Sequence, residues 1–421
     1  MRLSSIVAIF SFAAIVAVFA GCSNSPQGAQ TLPNGPEIAR ATGGGQLRYN
    51  SVRRSSVTER LIHSFGGSRD GFNPAGALLD VNGTFYGTTA EGGVGGGATV
   101  FKTQPSGKGT ILHSFKTFAA FATGLINVNG TLYGTTYGGG ANGTGTVFSI
   151  TQNGKFTTVY AFGPDEGSDG IGPSVSGALT NVNGTLYGTT TYGGTHGDGT
   201  VFSVTTTGHE TVLYSFAGGS DGNGPNAGLI RVKGTLYGTT QFGGPYDNGT
   251  VFSVTTAGKE KVLHRFSGQP DGKWPLAGLT NVNGTLYGTT EYGGSRCYHT
   301  GCGTVFSIDV SGNEVVLHSF ADDPDGSVPS ANLLNVNGTL YGTTQAGGTF
   351  SGGTVFSVTT SGQEAVLHSF KDEYRVKSHG DGLNPVAGLI NVNGTLYGTT
   401  ALGGNYARCY FGCGTIFKLT P

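Results

Sequence analysis

Charge is scarce in this chain. Only 11% of its 421 residues are Asp, Glu, Lys or Arg, and the formal net charge is −1. No basic run interleaves with aromatic residues, so no nucleic-acid partner is expected. There is no His-Glu-x-x-His and no Gly-Lys-Ser/Thr, which leaves out the zinc-protease and phosphate-loop signatures. Gly138–Gly145 is glycine-rich, but no helix pattern follows it, so it is set aside as a nucleotide loop. Tryptophan occurs once, at Trp274, and cysteine five times.

Long hydrophobic runs are missing too. The apolar run of residues 6–20 is too short to cross a bilayer as a helix and has the length of a signal-peptide core. It closes on Phe19-Ala20-Gly21-Cys22. This resembles a bacterial lipoprotein signal, with Phe19 where leucine is usual. The resemblance implies removal of residues 1–21, lipid on Cys22 and a membrane partner through that lipid. The alternative is an ordinary signal peptide with a chance cysteine. Either way the chain is expected outside the cytoplasm. Ser23, not aspartate, follows the cysteine, which resembles outer-membrane sorting. Residues 22–57 hold Ser, Gln, Gly, Pro and Arg without apolar periodicity, and are expected to be a disordered tether.

What the chain does have is glycine, 78 residues of it, at recurring offsets. Asn391-Val-Asn-Gly-Thr-Leu-Tyr-Gly-Thr-Thr400 has six close relatives earlier in the chain. The tyrosines of the seven copies are Tyr86, Tyr133, Tyr187, Tyr237, Tyr287, Tyr341 and Tyr397. A period of about 50 residues signals a propeller or solenoid. In the fifth copy, residues 279–282 alternate as a first strand, A. Asn283-Gly284 is a type I′ hairpin turn, which needs φ > 0 twice. Residues 285–290 form strand B. Residues 303–308, rich in β-branched and aromatic side chains, form strand C. Residues 315–320 form strand D. Four short antiparallel strands per repeat fit a propeller blade.

The two ends agree. Residues 60–65 are a lone D strand and residues 414–420 a lone C strand. Pairing them completes a seventh blade and closes the ring. The expected fold is all-β, a seven-bladed β-propeller of four-stranded blades over residues 58–421. A linear solenoid would need distinct polar caps. A glycine recurs inside strand B, as at Gly288 and Gly342. Interior glycine marks close approach of another group. The strand C phenylalanine of the adjacent blade, of the Phe306 and Phe356 type, is the expected neighbour.

The run N-V-N-G-T-L-Y-G-T-T, then G-G, then G-T-V-F-S-V, resembles the GloVer-type tandem repeat of "choice-of-anchor" bacterial surface proteins. The layout is similar to kelch blades, without the kelch tryptophan in strand D. The resemblance implies an exported, anchored repeat protein and carries no settled activity.

Several residue sets invite chemistry. Asn-Gly-Thr matches a glycosylation sequon, but the hairpin itself demands Asn-Gly. His63, His113, His264, His318 and His368 recur in strand D, with Tyr160 and Tyr214 in the other copies. On the outermost strand they spread round the circumference and cannot converge on one ion, so they read as packing and hydrogen-bonding residues. Asp70, Asp169, Asp221, Asp271, Asp325 and Asp381, each before glycine, lie in the D–A loops. They read as turn formers rather than a ring of cation ligands at the channel mouth. No metal or cofactor is expected, and a monomer is.

The repeats differ from one another on blades 5 to 7. The B–C loop of blade 5 carries Arg296, Cys297, Tyr298, His299 and Cys302. That of blade 7 carries Arg408, Cys409, Tyr410, Phe411 and Cys413. The loop entering blade 7 carries Tyr374, Arg375 and His379, and the loop entering blade 5 carries Trp274. Export favours oxidation, and blades 5 and 7 are not neighbours, so Cys297–Cys302 and Cys409–Cys413 are the expected disulfides. The aromatic and arginine side chains read as one binding patch for a carbohydrate or protein ligand. Near-identical blades argue against an active site, which needs different residues converging. The function expected is a non-catalytic binding or surface-interaction module. The alternatives are an exported lyase or glycan hydrolase, and a structural spacer.

Overall fold

Each A–B turn has the backbone its Asn-Gly pair demands. Asn283 lies at φ 53° and Gly284 at φ 96°, and the other copies repeat this. The first asparagine of the motif caps the turn: Asn281 Oδ1 accepts the Gly284 N–H at 2.9 Å. In the fourth copy Lys233 is forced to φ 48°. These facts come from a computed structural model. It describes residues 57–421, less 67–69, 108, 117–121, 165–167, 175–176, 298–299, 372–380, 405–408 and 410.

Seven antiparallel sheets follow, one per repeat. In blade 5 strand A is Thr280–Val282, B is Thr285–Thr290, C is Thr304–Ile308 and D is Glu314–Ser319. The A strands of neighbouring blades touch, blade 7 with blade 1 among them, which puts A at the axis and D at the rim. The protein is a seven-bladed β-propeller. Its ring closes as expected. Thr58–Ser64, the first strand, pairs antiparallel with Thr415–Thr420, the last, and becomes strand D of blade 7. Phe65 N–H then donates to the Gly414 carbonyl at 3.0 Å.

The apolar core lies between blades. Val232, Tyr237, Val251 and Phe266 of blade 4 pack on Leu279, Leu286, Phe306 and Ile308 of blade 5. At every junction the phenylalanine ending strand D of one blade meets the strand C phenylalanine of the next. Phe266 and Phe306 stand 5.2 Å apart, edge to face, and Phe65 and Phe101 carry the same contact across the closure. Edge-to-face pairs of this kind contribute about 0.5–1.5 kcal/mol beyond the area they bury.

The strand B glycine departs from the expectation in one respect. Its neighbour is the phenylalanine of its own blade. Gly288 sits directly across from Phe306 in the B–C register. A Cβ on Gly288 would lie 2.6 Å from Phe306 Cζ and 3.0 Å from Leu279 Cδ2. The ring folds back over the cross-strand glycine, leaving its other side for Phe266 of the preceding blade.

The two threonines ending strand B divide their work. The second bonds strand C: Thr290 Oγ1 and Thr304 Oγ1 are 2.8 Å apart and buried. The first reaches the next blade: Thr239 Oγ1 donates to the Ala277 carbonyl at 3.0 Å. Thr399, which faces the closing junction, is buried with no hydrogen-bond partner for its hydroxyl.

Candidate functional site

Two regions gather polar or aromatic side chains: the blade junctions at the rim, and the face carrying the D–A and B–C loops. At the rim the aspartate of each Asp-Gly loop caps the end of strand D. Asp271 Oδ2 accepts the Ser267 N–H at 2.9 Å, and Asp325 Oδ2 accepts that of Ala321 at 3.0 Å. The same carboxylate meets the strand D histidine or tyrosine. His264 Nε2 lies 3.2 Å from Asp271 Oδ2, and His318 Nε2 3.1 Å from Asp325 Oδ2. Tyr214 donates its hydroxyl to Asp221 at 2.9 Å. The aspartates are turn formers, as expected, and they stand beside strand D rather than at the channel mouth.

A third partner arrives from the next blade. The glutamate opening its strand D turns toward the same aspartate. Glu314 faces Asp271, Glu364 faces Asp325, and Glu59 of the first strand faces Asp381. Burial, and then the neighbouring aspartate, push Glu314 and Glu59 up to about 7. Glu364 is raised by the same causes. Glu210 beside Asp169 and Glu260 beside Asp221 are likewise pushed up to about 7. The histidines do spread round the rim. His264 and His318 pack on the following phenylalanine and hydrogen-bond to aspartate, as expected, and three of the histidines also share a junction with a second carboxylate.

The loop face is built by short cross-links. Gly272–Lys273 of the D–A loop pairs with Tyr292–Gly293 at the start of the B–C loop, and Gly382–Leu383 pairs with Leu402–Gly403 in blade 7. The two loop types therefore share a face. Trp274, at φ 57°, is wedged between two rings. Phe242 of blade 4 lies 5.6 Å away and Tyr292 of blade 5 lies 5.5 Å away, both edge to face. The Lys273 ammonium sits 4.5 Å over the indole, and the indole N–H donates to the Asp247 carbonyl at 3.3 Å. Behind Tyr292, burial holds the Glu291 carboxyl up at about 7. Tyr246 is 65% exposed on the neighbouring loop of blade 4.

The chain matches the Gloeobacter/Verrucomicrobia repeat over residues 41–176, 166–321 and 239–421. It belongs to that family. No curated protein matches it. Among solved structures it is similar to a chain of a nidogen/laminin complex, at 16% identity and TM-score 0.43, covering 68% of this chain and 94% of that one. A computationally designed protein, Ika8, gives 14% and 0.47, covering 85% and 98%. A gluconolactonase, XC5397 of Xanthomonas campestris, gives 12% and 0.42, covering 70% and 88%. At such values the likeness carries no function across.

In this Gloeobacter/Verrucomicrobia repeat protein both expected disulfides are present, Cys297–Cys302 and Cys409–Cys413. Disulfides persist in oxidising compartments, which fits an extracytoplasmic protein. Three of the binding residues expected from sequence lie among the described residues: Trp274, Arg296 and Phe411. Trp274 joins the aromatic group between blades 4 and 5. Arg296 is exposed and lines, with Pro270, Asp271, Glu314 and His318, a cleft of about 570 Å³. Phe411, 39% exposed, lies on blade 7. Tyr298, His299, Tyr374, Arg375, His379, Arg408 and Tyr410 lie outside the described residues, as does Cys22.

Phe242 and Tyr292 were missed as site residues, although a signal existed. Tyr137, Tyr192, Phe242 and Tyr292 follow the Thr-Thr pair in blades 2 to 5 and in no other blade. Gly218-Gly219-Ser220-Asp221-Gly222 has the spacing of a nucleophile elbow, but it is a D–A loop with no helix after it. Its aspartate is engaged by the Tyr214 hydroxyl and the Ala217 N–H.

Proposed function

We propose that this propeller is a non-catalytic module that binds an acidic glycan on the face carrying the D–A and B–C loops. One observation supports it above the rest: Trp274 is held edge-on between Phe242 and Tyr292 with the Lys273 ammonium over its ring. Rigid aromatic side chains give contact area at low ordering cost. The neighbouring cation supplies attraction for a carboxylate or sulfate on a sugar. The Cys297–Cys302 link stiffens the next loop. The His–carboxylate pairs that would suggest catalysis recur at four junctions, where the aspartate caps the end of strand D, so their role is structural. The patch extends in this reading to Arg296, Tyr298 and His299, and across blade 7 to Tyr374, Arg375, His379, Arg408, Tyr410 and Phe411. Lipid on Cys22 holds the module at the outer membrane or cell surface. If Cys22→Ala still partitions into detergent with membranes, that part is wrong.

The test is a glycan-array screen of the full chain, followed by Trp274→Ala. Hot-spot aromatics contribute about 2 kcal/mol or more, so affinity for the glycan found should fall at least about 30-fold. Unchanged affinity would show that the patch is not the site.

A second reading, glycan hydrolase, has one observation in its favour. Glu291, largely buried behind Tyr292, is poised to carry a proton near neutral pH, as a general acid must. Turnover of the bound glycan that disappears in Glu291→Gln would establish it.

A further inference from the structure

We propose that three blade junctions are sites for a first-row divalent cation such as Zn²⁺, which would staple successive blades at the rim. The sites are His264–Asp271–Glu314, His318–Asp325–Glu364 and His368–Asp381–Glu59. In each, one imidazole nitrogen and two carboxylate oxygens lie within 4.8 Å of one another. Histidine and aspartate come from one blade and glutamate from the next.

The spacing suits a metal. Zinc holds nitrogen and oxygen at about 2.0–2.2 Å in a tetrahedron, so ligand atoms stand roughly 3.3 Å apart. The imidazole-to-aspartate separations are 3.2, 3.1 and 3.6 Å. The aspartates are already oriented by backbone N–H groups, as outer-shell bonds orient metal ligands. Each cluster holds one buried polar atom without a hydrogen-bond partner, Glu314 Oε1, Glu364 Oε1 and His368 Nε2, as the tyrosine junctions do at Glu210 Oε1 and Glu260 Oε1, so it is the imidazole that sets the three clusters apart. A buried acceptor left unbonded is costly, and a cation would satisfy it. The first cluster opens on the 570 Å³ cleft, through Asp271 and Glu314, so water can complete its shell. Arg296 lines the same cleft. That positive neighbour makes this site the weakest of the three.

The other junctions supply internal controls. Tyr160–Asp169–Glu210 and Tyr214–Asp221–Glu260 have the two carboxylates but a phenol in place of imidazole. His63 meets Asp70, but Gly109 stands where the glutamate would be.

The experiment is calorimetric titration of the EDTA-stripped full chain with zinc sulfate. Saturable binding of two to three ions is expected, with a rise in melting temperature. The triple variant His264→Gln, His318→Gln, His368→Gln should lose these sites, and His63→Gln should keep them. Tyr160→His should add one further ion, which decides the matter if the triple variant does not fold. No saturable binding by the native chain, binding unchanged in the triple variant, or no added site in Tyr160→His would overturn the proposal.

Discussion

The rings of His113 and Phe156 stack face to face, 3.9 Å apart and 5° from parallel. They occupy, between blades 1 and 2, the places that histidine and glutamate hold between blades 4 and 5. The loop there is Lys116-Thr-Phe-Ala-Ala-Phe121, with no Asp-Gly. Where the aspartate is gone, the glutamate is gone too, and an aromatic fills its place. Burial pushes His113 down, so it is held as the neutral ring that stacks well. Phe156→Ala should destabilise the fold by about 2 kcal/mol, less than for a fully buried ring. Phe156→Glu, lacking its aspartate, should not recover the loss. Chemical denaturation of the two variants is the measurement.

Gly288→Ala should cost about 1–3 kcal/mol, the penalty of overpacking a filled core. The added methyl would sit 2.6 Å from Phe306 Cζ. Combining it with Phe306→Leu should recover part of the loss. A Gly288→Ala protein as stable as the native one would disprove the cross-strand account.

Lys233→Asn should stabilise. Lys233 is the one member of the seven A–B turns that is not asparagine, and it is held at φ 48°. A left-handed conformation costs an ordinary residue about 1–2 kcal/mol and asparagine less. A gain of about 0.5–1 kcal/mol is expected on that basis, read as a rise in melting temperature.

Stability should depend on pH through Glu210 and Glu260. Both folded-state values lie near 7, raised first by burial and then by Asp169 or Asp221, from an ordinary 4.5. Arg265 opposes the rise at Glu260. The facing Tyr160 and Tyr214 hydroxyls are themselves raised and stay neutral. Below about 4.5 the folded and unfolded chains hold these protons alike. Between about 4.5 and 7 the unfolded chain gives them up while the native chain keeps them, so native stability falls as pH rises. Above about 7 the penalty is complete. The double variant Glu210→Gln, Glu260→Gln should make the fall of melting temperature between pH 5 and pH 8 shallower, with Glu59, Glu291, Glu314 and Glu364 supplying what remains. A profile as steep as that of the native protein would exclude this cause.

Legibility in the sequence followed distance along the chain. Asn283-Gly284 announces its turn because φ > 0 is demanded within two residues. The pairing of the first strand with the last was readable by counting lone C and D strands. Thr239, by contrast, is indistinguishable in the motif from Thr240, yet one bonds across a junction and the other within a sheet. Glu314 could not be linked to Asp271 before their two rims met in space. Direction was also hidden: Gly288 needs a neighbouring ring, but only the B–C register says the ring is Phe306 of the same blade. Trp274 was placed by sequence in the loop entering blade 5, but its ring partners Phe242 and Tyr292 lie in blades 4 and 5 and could not be named before the two loops met.

Removing residues 58–65 should lower the melting temperature sharply, since the deletion strips strand D from blade 7, Glu59 from its junction and Phe65 from Phe101. A truncated chain that melts like the whole one would mean that the closing strand is dispensable.

The pairing of Thr58 with Thr420 also sets the order of events in time. The strand that leaves the ribosome or the export channel first can be used only when the final strand has emerged. Six blades can assemble in sequence from neighbouring segments, but the seventh waits for the whole chain. Until then the last blade shows an unpaired edge, a template for pairing with another chain. Joining ends this far apart carries the loop-closure cost of the entire domain. A chain stalled or clipped before Thr415 would hold most of the blades and none of the closure.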